Sequence, residues 1–178
     1  TILFLPSFLD IYPHLADVKD LTLLNPPVRI PDLTPPAVEV VLGIPAVERV
    51  NSSYLESTLA MLLSRASPSD LSRFRIVVML SHPNGTEAPF VTRMAAWIQK
   101  TFPDSVRGAL IQIISPPPAW YPDDLVNVEP TFGDNQLRMF WRTKQNLDYA
   151  YLLSYCRNMA KYYMQLEDDI EPAPDYSF

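Results

Sequence analysis

The chain has 178 residues, with a formal net charge of −6, 48 % hydrophobic and 19 % charged residues, which suffices for one domain with a real core. The acidic balance argues against nucleic acid or an anionic membrane as the main partner, since both need a basic face. With only 4 glycines, 1 cysteine and 2 histidines, there is no Gly-x-Gly-x-x-Gly fingerprint, no Walker loop, no internal disulfide and little material for a zinc or histidine-rich centre. No apolar run reaches membrane-spanning length, and the start lacks a basic leader region.

Residues 1–36 are punctuated by Pro6, Pro13, Pro26, Pro27, Pro31, Pro35 and Pro36. They read as an extended lead-in lying against the domain, with one short helix near residues 14–20. From Ala37 the texture changes, and residues 37–178 read as a single α/β unit. Residues 37–44 are a β-branched run and predict a strand buried on both faces and stopped by Pro45. Tyr54, Leu55, Leu59, Leu62 and Leu63 have helical spacing, and Ser53 with Glu56 has the capping-box form that starts a helix. Residues 74–80 predict a second buried strand, ending at the turn Ser81-His82-Pro83-Asn84-Gly85.

Phe90, Met94, Trp97 and Ile98 mark a second amphipathic helix, with Pro89 tolerated in its first turn. Residues 109–114 predict a third strand, halted by Pro116-Pro117-Pro118. A loop of about twenty residues follows, longer than a plain connection needs; it carries Trp120, Tyr121, Asp123, Asp124, Phe132 and Asp134. A third helix is expected from about residue 140 to 159. Last comes Lys-Tyr-Tyr-Met-Gln-Leu-Glu-Asp-Asp-Ile at residues 161–170, a buried strand ending abruptly in Glu167, Asp168 and Asp169. The order strand, helix, strand, helix, strand, loop, helix, strand predicts a mostly parallel sheet flanked by helices, with the four strand ends opening on one edge.

Ligands in such sheets sit at the carboxyl ends of the strands. Three adjacent acids resist desolvation and need a cation or full solvation, so the cluster suits a hard divalent metal with a phosphate completing its shell; a solvated acidic turn is the plain alternative. The pleat sends Glu167 and Asp169 one way and Asp168 the other, so the three cannot share one ion. The turn from Gly43 through Ile44 and Pro45 to Arg49 offers close backbone approach at the glycine and a guanidinium for a diphosphate, or else a strand terminator with a surface arginine. Arg142 and Lys144, placed near the expected helix start where basic residues are unfavourable, suggest an anionic ligand; a solvated Lys144–Asp148 pair is the alternative. Asn51 and Asn84 are N-glycosylation acceptors by form. Cys156 reads as a buried inert thiol, and His14 and His82 as structural or exposed.

These residues carry a family likeness. Gly43-Ile44-Pro45, Tyr54-Leu55 with Thr58-Leu59, Ile114-Ser115-Pro116-Pro117 with Tyr121-Pro122, Thr131-Phe132-Gly133-Asp134, Trp141-Arg142-Thr143-Lys144-Gln145-Asn146-Leu147-Asp148-Tyr149 and Tyr162-Tyr163-Met164-Gln165-Leu166-Glu167-Asp168-Asp169-Ile170 follow in that order. The sequence thereby resembles the alpha-1,3-mannosyl-glycoprotein 4-beta-N-acetylglucosaminyltransferases, the N-acetylglucosaminyltransferase IV family, most loosely over residues 68–107.

The resemblance implies a GT-A type, Rossmann-like α/β fold and an inverting, metal-dependent transfer from UDP-N-acetylglucosamine. The product is a β1-4 linkage on the α1-3 mannose arm of N-glycans, made in the Golgi lumen. Glu-Asp-Asp is then a variant of the Asp-x-Asp motif: Asp169 holds a divalent cation, usually manganese, while Glu167 and Asp168 contact ribose and sugar or their waters. Gly43, Ile44, Pro45 and Arg49 line the nucleotide pocket, with Arg142, Lys144 and Asn146 of the long motif on the donor side. The family's catalytic domain continues past the acidic motif and is preceded by a membrane anchor. The expectation is therefore a piece truncated after that motif, inactive alone, with the acceptor site and general base lying beyond Phe178. A non-catalytic, glycan- or enzyme-binding relative and an unrelated calcium-binding α/β module are the competing readings.

Overall fold

The computed structural model describes residues 12–16, 18–49, 54–174 and 176. In chain order the elements are β1 (Val28–Ile30), β2 (Val38–Ala46), α1 (Leu55–Ser64), α2 (Pro68–Leu71), β3 (Phe74–Leu80), α3 (Pro89–Thr101), α4 (Pro103–Arg107), β4 (Ile111–Ser115), α5 (Gln136–Cys156) and β5 (Ala160–Gln165), with short 3-10 turns between them. The five strands form one sheet in the order β1-β4-β3-β2-β5. Strands β4, β3, β2 and β5 are parallel, and β1 runs antiparallel to β4. The α/β class and the mostly parallel sheet are as expected, and the four parallel strands open on one edge.

Side-chain alternation sorts the core onto the two faces of the sheet. Leu42, Ile44, Ile76, Val78, Leu80, Ile111 and Ile113 meet α1, α3 and α4 through Leu55, Leu59, Leu62, Phe90, Met94, Ile98 and Val106. Val41, Val77, Met79 and Ile114 face the other way, against Leu147, Tyr151 and Leu152 of α5 and against Trp120, Tyr121 and Leu125 of the long loop. That loop is therefore core at its first half. Trp120 Nε1 donates to the Leu147 carbonyl at 2.9 Å, seating the indole on α5.

Several expectations are corrected. The lead-in supplies the edge strand β1, and it is tied down by buried polar side chains. Gln112 donates to the Pro31 and Leu33 carbonyls, and Arg75 to the Pro36 carbonyl. Its expected helix near residues 14–20 is instead a pair of single turns, Pro13–Leu15 and Leu21–Leu24. Strand β2 runs through Pro45. The Leu166 N–H donates to the Gly43 carbonyl, so alternation points Pro45's nitrogen to the same side, past Gln165, the last β5 residue paired with β2. No ladder bond is lost there. Strand β4 begins at Ile111 because Ala109 sits at φ 57° and closes the α4 turn.

Helix α5 starts at Gln136, four residues earlier than expected, because the Asn135 side chain caps it by accepting the Arg138 N–H. It ends at Cys156. Strand β5 is an edge strand rather than a buried one: it pairs with β2 alone among the described strands, and Tyr162 and Met164 are about half exposed. The capping box at Ser53 lies outside the described residues. None of the described helices is long and apolar enough to cross a membrane.

Candidate functional site

Two neighbouring parallel strands set the site. After β2 the chain continues as Val47-Glu48-Arg49, and after β5 as Leu166-Glu167-Asp168-Asp169. The β2–β5 register, Gly43 opposite Gln165, brings these two exits together although Arg49 and Asp168 are 119 residues apart. Arg49 Nη2 donates to Asp168 Oδ1 at 2.5 Å and Nη1 to Asp169 Oδ2 at 3.5 Å. The guanidinium lies 4.9 Å over the Tyr54 ring at the head of α1.

The acidic turn is held from below by α1. Thr58 Oγ1 stands 2.9 Å from the Asp168 carbonyl and 3.0 Å from the Ile170 carbonyl. Gln165 donates to the Gly43 carbonyl and accepts from Tyr163. The three acids fare differently. Asp168 is buried; burial pushes its carboxyl above the ordinary range, Arg49 pulls it back, and the Asp169 charge adds to the rise. The Asp169 side chain is 40 % exposed. Glu167 is exposed and accepts from Tyr149 Oη at 3.2 Å, itself hydrogen-bonded to Gln145.

Two clefts open beside this junction. One of about 400 Å³ lies between α1 and α3, lined by Arg49, Tyr54, Phe90, Met94, Trp97 and Asp168 among others. The other, about 580 Å³, runs from Arg49 past Ser81 and His82 at the end of β3 to Phe140, Trp141 and Lys144 of α5. A small notch between them is bordered by Pro45, Arg49, Tyr149, Glu167 and Asp168.

The other residues named from the sequence separate. Ile44 is core, fully buried. Gly43 allows a close approach, but to a side chain: a Cβ there would stand 2.4 Å from Tyr163 Oη and 2.7–2.8 Å from its ring. Arg142 and Lys144 lie beyond the first turn of α5, outside the reach of its N-terminal dipole. Arg142 pairs with Asp134 and stacks over Phe132. Lys144 is not on a solvated face. Its side chain is 4 % exposed and meets Asp148 at 2.6 Å. It also donates to Ser81 Oγ at 2.9 Å and to the Ser81 carbonyl at 3.3 Å. Asn146 is exposed and borders a different recess, with Tyr149, Tyr163 and Gln165. Asn84 is exposed in its turn, whereas Asn51 lies outside the described residues. Phe178, beyond which the general base is expected, likewise lies outside the described residues.

Sequence reasoning gave no site role to Thr58, Tyr54, Tyr149, Ser81 or Asp148. Thr58 alone had a usable signal, a hydroxyl amid the buried stripe Leu55, Leu59, Leu62 of α1.

Asp169 and Glu167 present carboxylate oxygens at the surface, the donor type a hard divalent cation takes. Among the described residues no group of three His, Cys, Asp or Glu side chains converges on one point. The protein would therefore supply one part of a coordination shell and a ligand the rest.

A family model described as the MGAT4 conserved region matches residues 5–178. Alpha-1,3-mannosyl-glycoprotein 4-beta-N-acetylglucosaminyltransferase A of Gallus gallus is 39 % identical over 168 residues, covering 94 % of this chain and 30 % of the relative. The B enzyme of Homo sapiens is 38 % identical over 175 residues, 98 % of this chain and 31 % of the relative. The Xenopus tropicalis A enzyme is 41 % identical over 153 residues, covering 86 % and 28 %. The chain thus spans under a third of the length of these relatives, yet nearly all of it is matched: it belongs to the MGAT4 conserved-region family.

Proposed function

We propose that this chain is the nucleotide-sugar-binding half of a GT-A type, metal-dependent, inverting glycosyltransferase. Its donor is UDP-N-acetylglucosamine, and the sugar goes in β1-4 linkage to the α1-3 mannose arm of N-glycans in the Golgi lumen. The relatives' naming as N-acetylglucosaminyltransferases supports the reading. The observation that carries the reading is the meeting of Arg49 with Asp168 and Asp169 at the carboxyl edge of the sheet, beside a cleft walled by Phe140 and Trp141.

The chemistry follows from the charges. Arg49 offers a planar fork suited to a diphosphate. Asp169 is the carboxylate with exposed oxygens and would hold the cation, manganese by the family likeness. Bound there, the cation would neutralise the charge that develops on the departing diphosphate. Asp168 fixes Arg49, and Thr58 fixes the turn that carries both acids. Glu167, tethered by Tyr149, faces the notch that leads from the diphosphate position toward the sugar. Lys144 contributes positive charge to the cleft wall while its protons stay on Ser81 and Asp148.

Calorimetric titration of the folded chain with UDP, with and without manganese, tests the reading. Tight binding that depends on manganese, and drops at least about tenfold in Asp169→Asn, is expected. A folded chain that binds UDP no better with manganese overturns it.

A further inference from the structure

We propose that His82 selects the base of the donor nucleotide, its Nε2–H donating to the O4 carbonyl of uracil. The inference rests on reading the 580 Å³ cleft as the nucleotide site, and it assigns a residue to which the sequence gave no partner.

Three observations lead there. First, the ring is fixed by its own turn. The Asn84 backbone N–H donates to His82 Nδ1 at 3.1 Å, and the Gly85 N–H to the His82 carbonyl at 2.9 Å. A neutral imidazole that accepts at Nδ1 carries its proton at Nε2. No described residue takes that second nitrogen, and the ring lines the cleft. Second, the surroundings favour the neutral ring. Partial burial lowers its pKa first, and the Lys144 charge lowers it further, against a smaller opposing pull from Glu48. Protonating Nδ1 would also set two N–H groups against each other at Asn84.

Third, the charged donor beside it in this cleft is committed. The Lys144 ammonium has three protons, and they go to Ser81 Oγ, the Ser81 carbonyl and Asp148. His82 shares this cleft with two aromatic side chains, Phe140 and Trp141, whose rings meet edge to face at 5.2 Å. Trp141 is 46 % exposed and offers a stacking surface.

A flat ring carrying hydrogen-bond acceptors fits this wall. Uracil presents a carbonyl acceptor at O4. Cytosine keeps O2 but carries an amino donor in place of O4, and adenine carries an amino donor at its C6. An amino group set against the His82 Nε2–H would leave both donors unpaired, which is how a polar site rejects an analogue.

The experiment titrates UDP, CDP and ADP, each with manganese, into the wild-type chain, His82→Ala and His82→Gln. The wild type is expected to favour UDP over CDP. Alanine should weaken UDP about tenfold, the loss of one hydrogen bond to a buried partner, with CDP little changed. Glutamine, whose amide can replace the donor, should recover much of the loss. UDP binding unchanged in His82→Ala overturns the assignment alone, whereas a wild type that binds no nucleotide overturns the site reading with it. Imidazole ¹⁵N shifts of the unliganded wild type give a check that needs neither variant: an Nε2–H tautomer at neutral pH is expected, and an Nδ1–H tautomer or a charged ring overturns the proposal.

Discussion

Replacing Lys144 by methionine measures how much of the carboxyl edge depends on a buried charge. Lys144 and Asp148 are one helical turn apart, their side chains 4 % and 3 % exposed, with 2.6 Å between them. The second Asp148 oxygen accepts from Tyr121 Oη at 2.6 Å, a phenol whose pKa burial and Asp148 both raise. Methionine keeps the stem and removes the ammonium. A buried carboxylate is left with one hydroxyl donor, and Ser81 loses a donor at both its carbonyl and its hydroxyl. Breaking a buried ion pair from one side costs about 3–5 kcal/mol, out of a total stability of about 5–15 kcal/mol. A solvated pair at the same spacing would be worth only about 0.3–0.5 kcal/mol. With a urea slope near 2 kcal/mol per molar, the midpoint should fall by about 1.5–2.5 M. Tryptophan fluorescence can follow the transition, because Trp120 is seated on α5 beside the network. Lys144→Met with Asp148→Leu should recover most of the loss, since an apolar replacement of both partners removes the stranded charge. A single variant that loses under about 1 kcal/mol, or a double variant no better than the single, refutes the reasoning.

Gly43→Ala should cost about 1–3 kcal/mol, because its Cβ would fall 2.4 Å from Tyr163 Oη. Adding Tyr163→Leu should regain part of this in thermal unfolding, and no regain would place the strain elsewhere. Thr58→Val strips a shared donor from the Asp168 and Ile170 carbonyls, at about 1–3 kcal/mol; amide exchange should quicken over residues 168–171 while the core of β3 keeps its protection. Cys156 is buried in α5, and burial pushes its thiol up to about 12 against a smaller pull from Arg75. At pH 8 the thiolate fraction is on the order of one in ten thousand, so a disulfide reagent should label it only as fast as the protein unfolds.

The parallel sheet was legible because its strands are long and apolar: Phe74–Leu80 is buried throughout, and nothing but a core strand looks like that run. Helix α3 was legible for the same kind of reason, a stripe at helical spacing behind a proline in its first turn. Strand β1 was not, because three residues between prolines are too few to show a period. The start of α5 was missed because Asn135 looks like loop until its carboxamide is seen to accept a helical N–H. The acidic motif drew attention through composition, but which acid is buried depends on Arg49, which no local pattern pairs with Asp168. Lys144 is the clearest limit. Its spacing to Asp148 was visible, but its burial is decided by Ser81, 63 residues away, and by the aromatic loop folded over it.

The sheet order makes Arg49 the pivot of the edge. Strand β2 is the one parallel strand flanked by both β3 and β5, so the chain leaving it must stand between the His82 turn on one side and the acidic turn on the other. Arg49 accordingly borders both clefts and the notch between them. It spans two carboxylates with two nitrogens and lies flat over Tyr54, three contacts that a planar fork makes together and a point charge cannot. Lysine at this position would keep the charge and lose the geometry. Asp168 would remain buried with a looser partner, and the turn carrying Asp169 would lose one of its ties, leaving Thr58 and the Tyr149–Glu167 contact. Any anion drawn into the larger cleft must therefore negotiate with the same guanidinium that keeps the acidic turn in place, and this ties ligand binding at the β3 side to the position of the carboxylates at the β5 side.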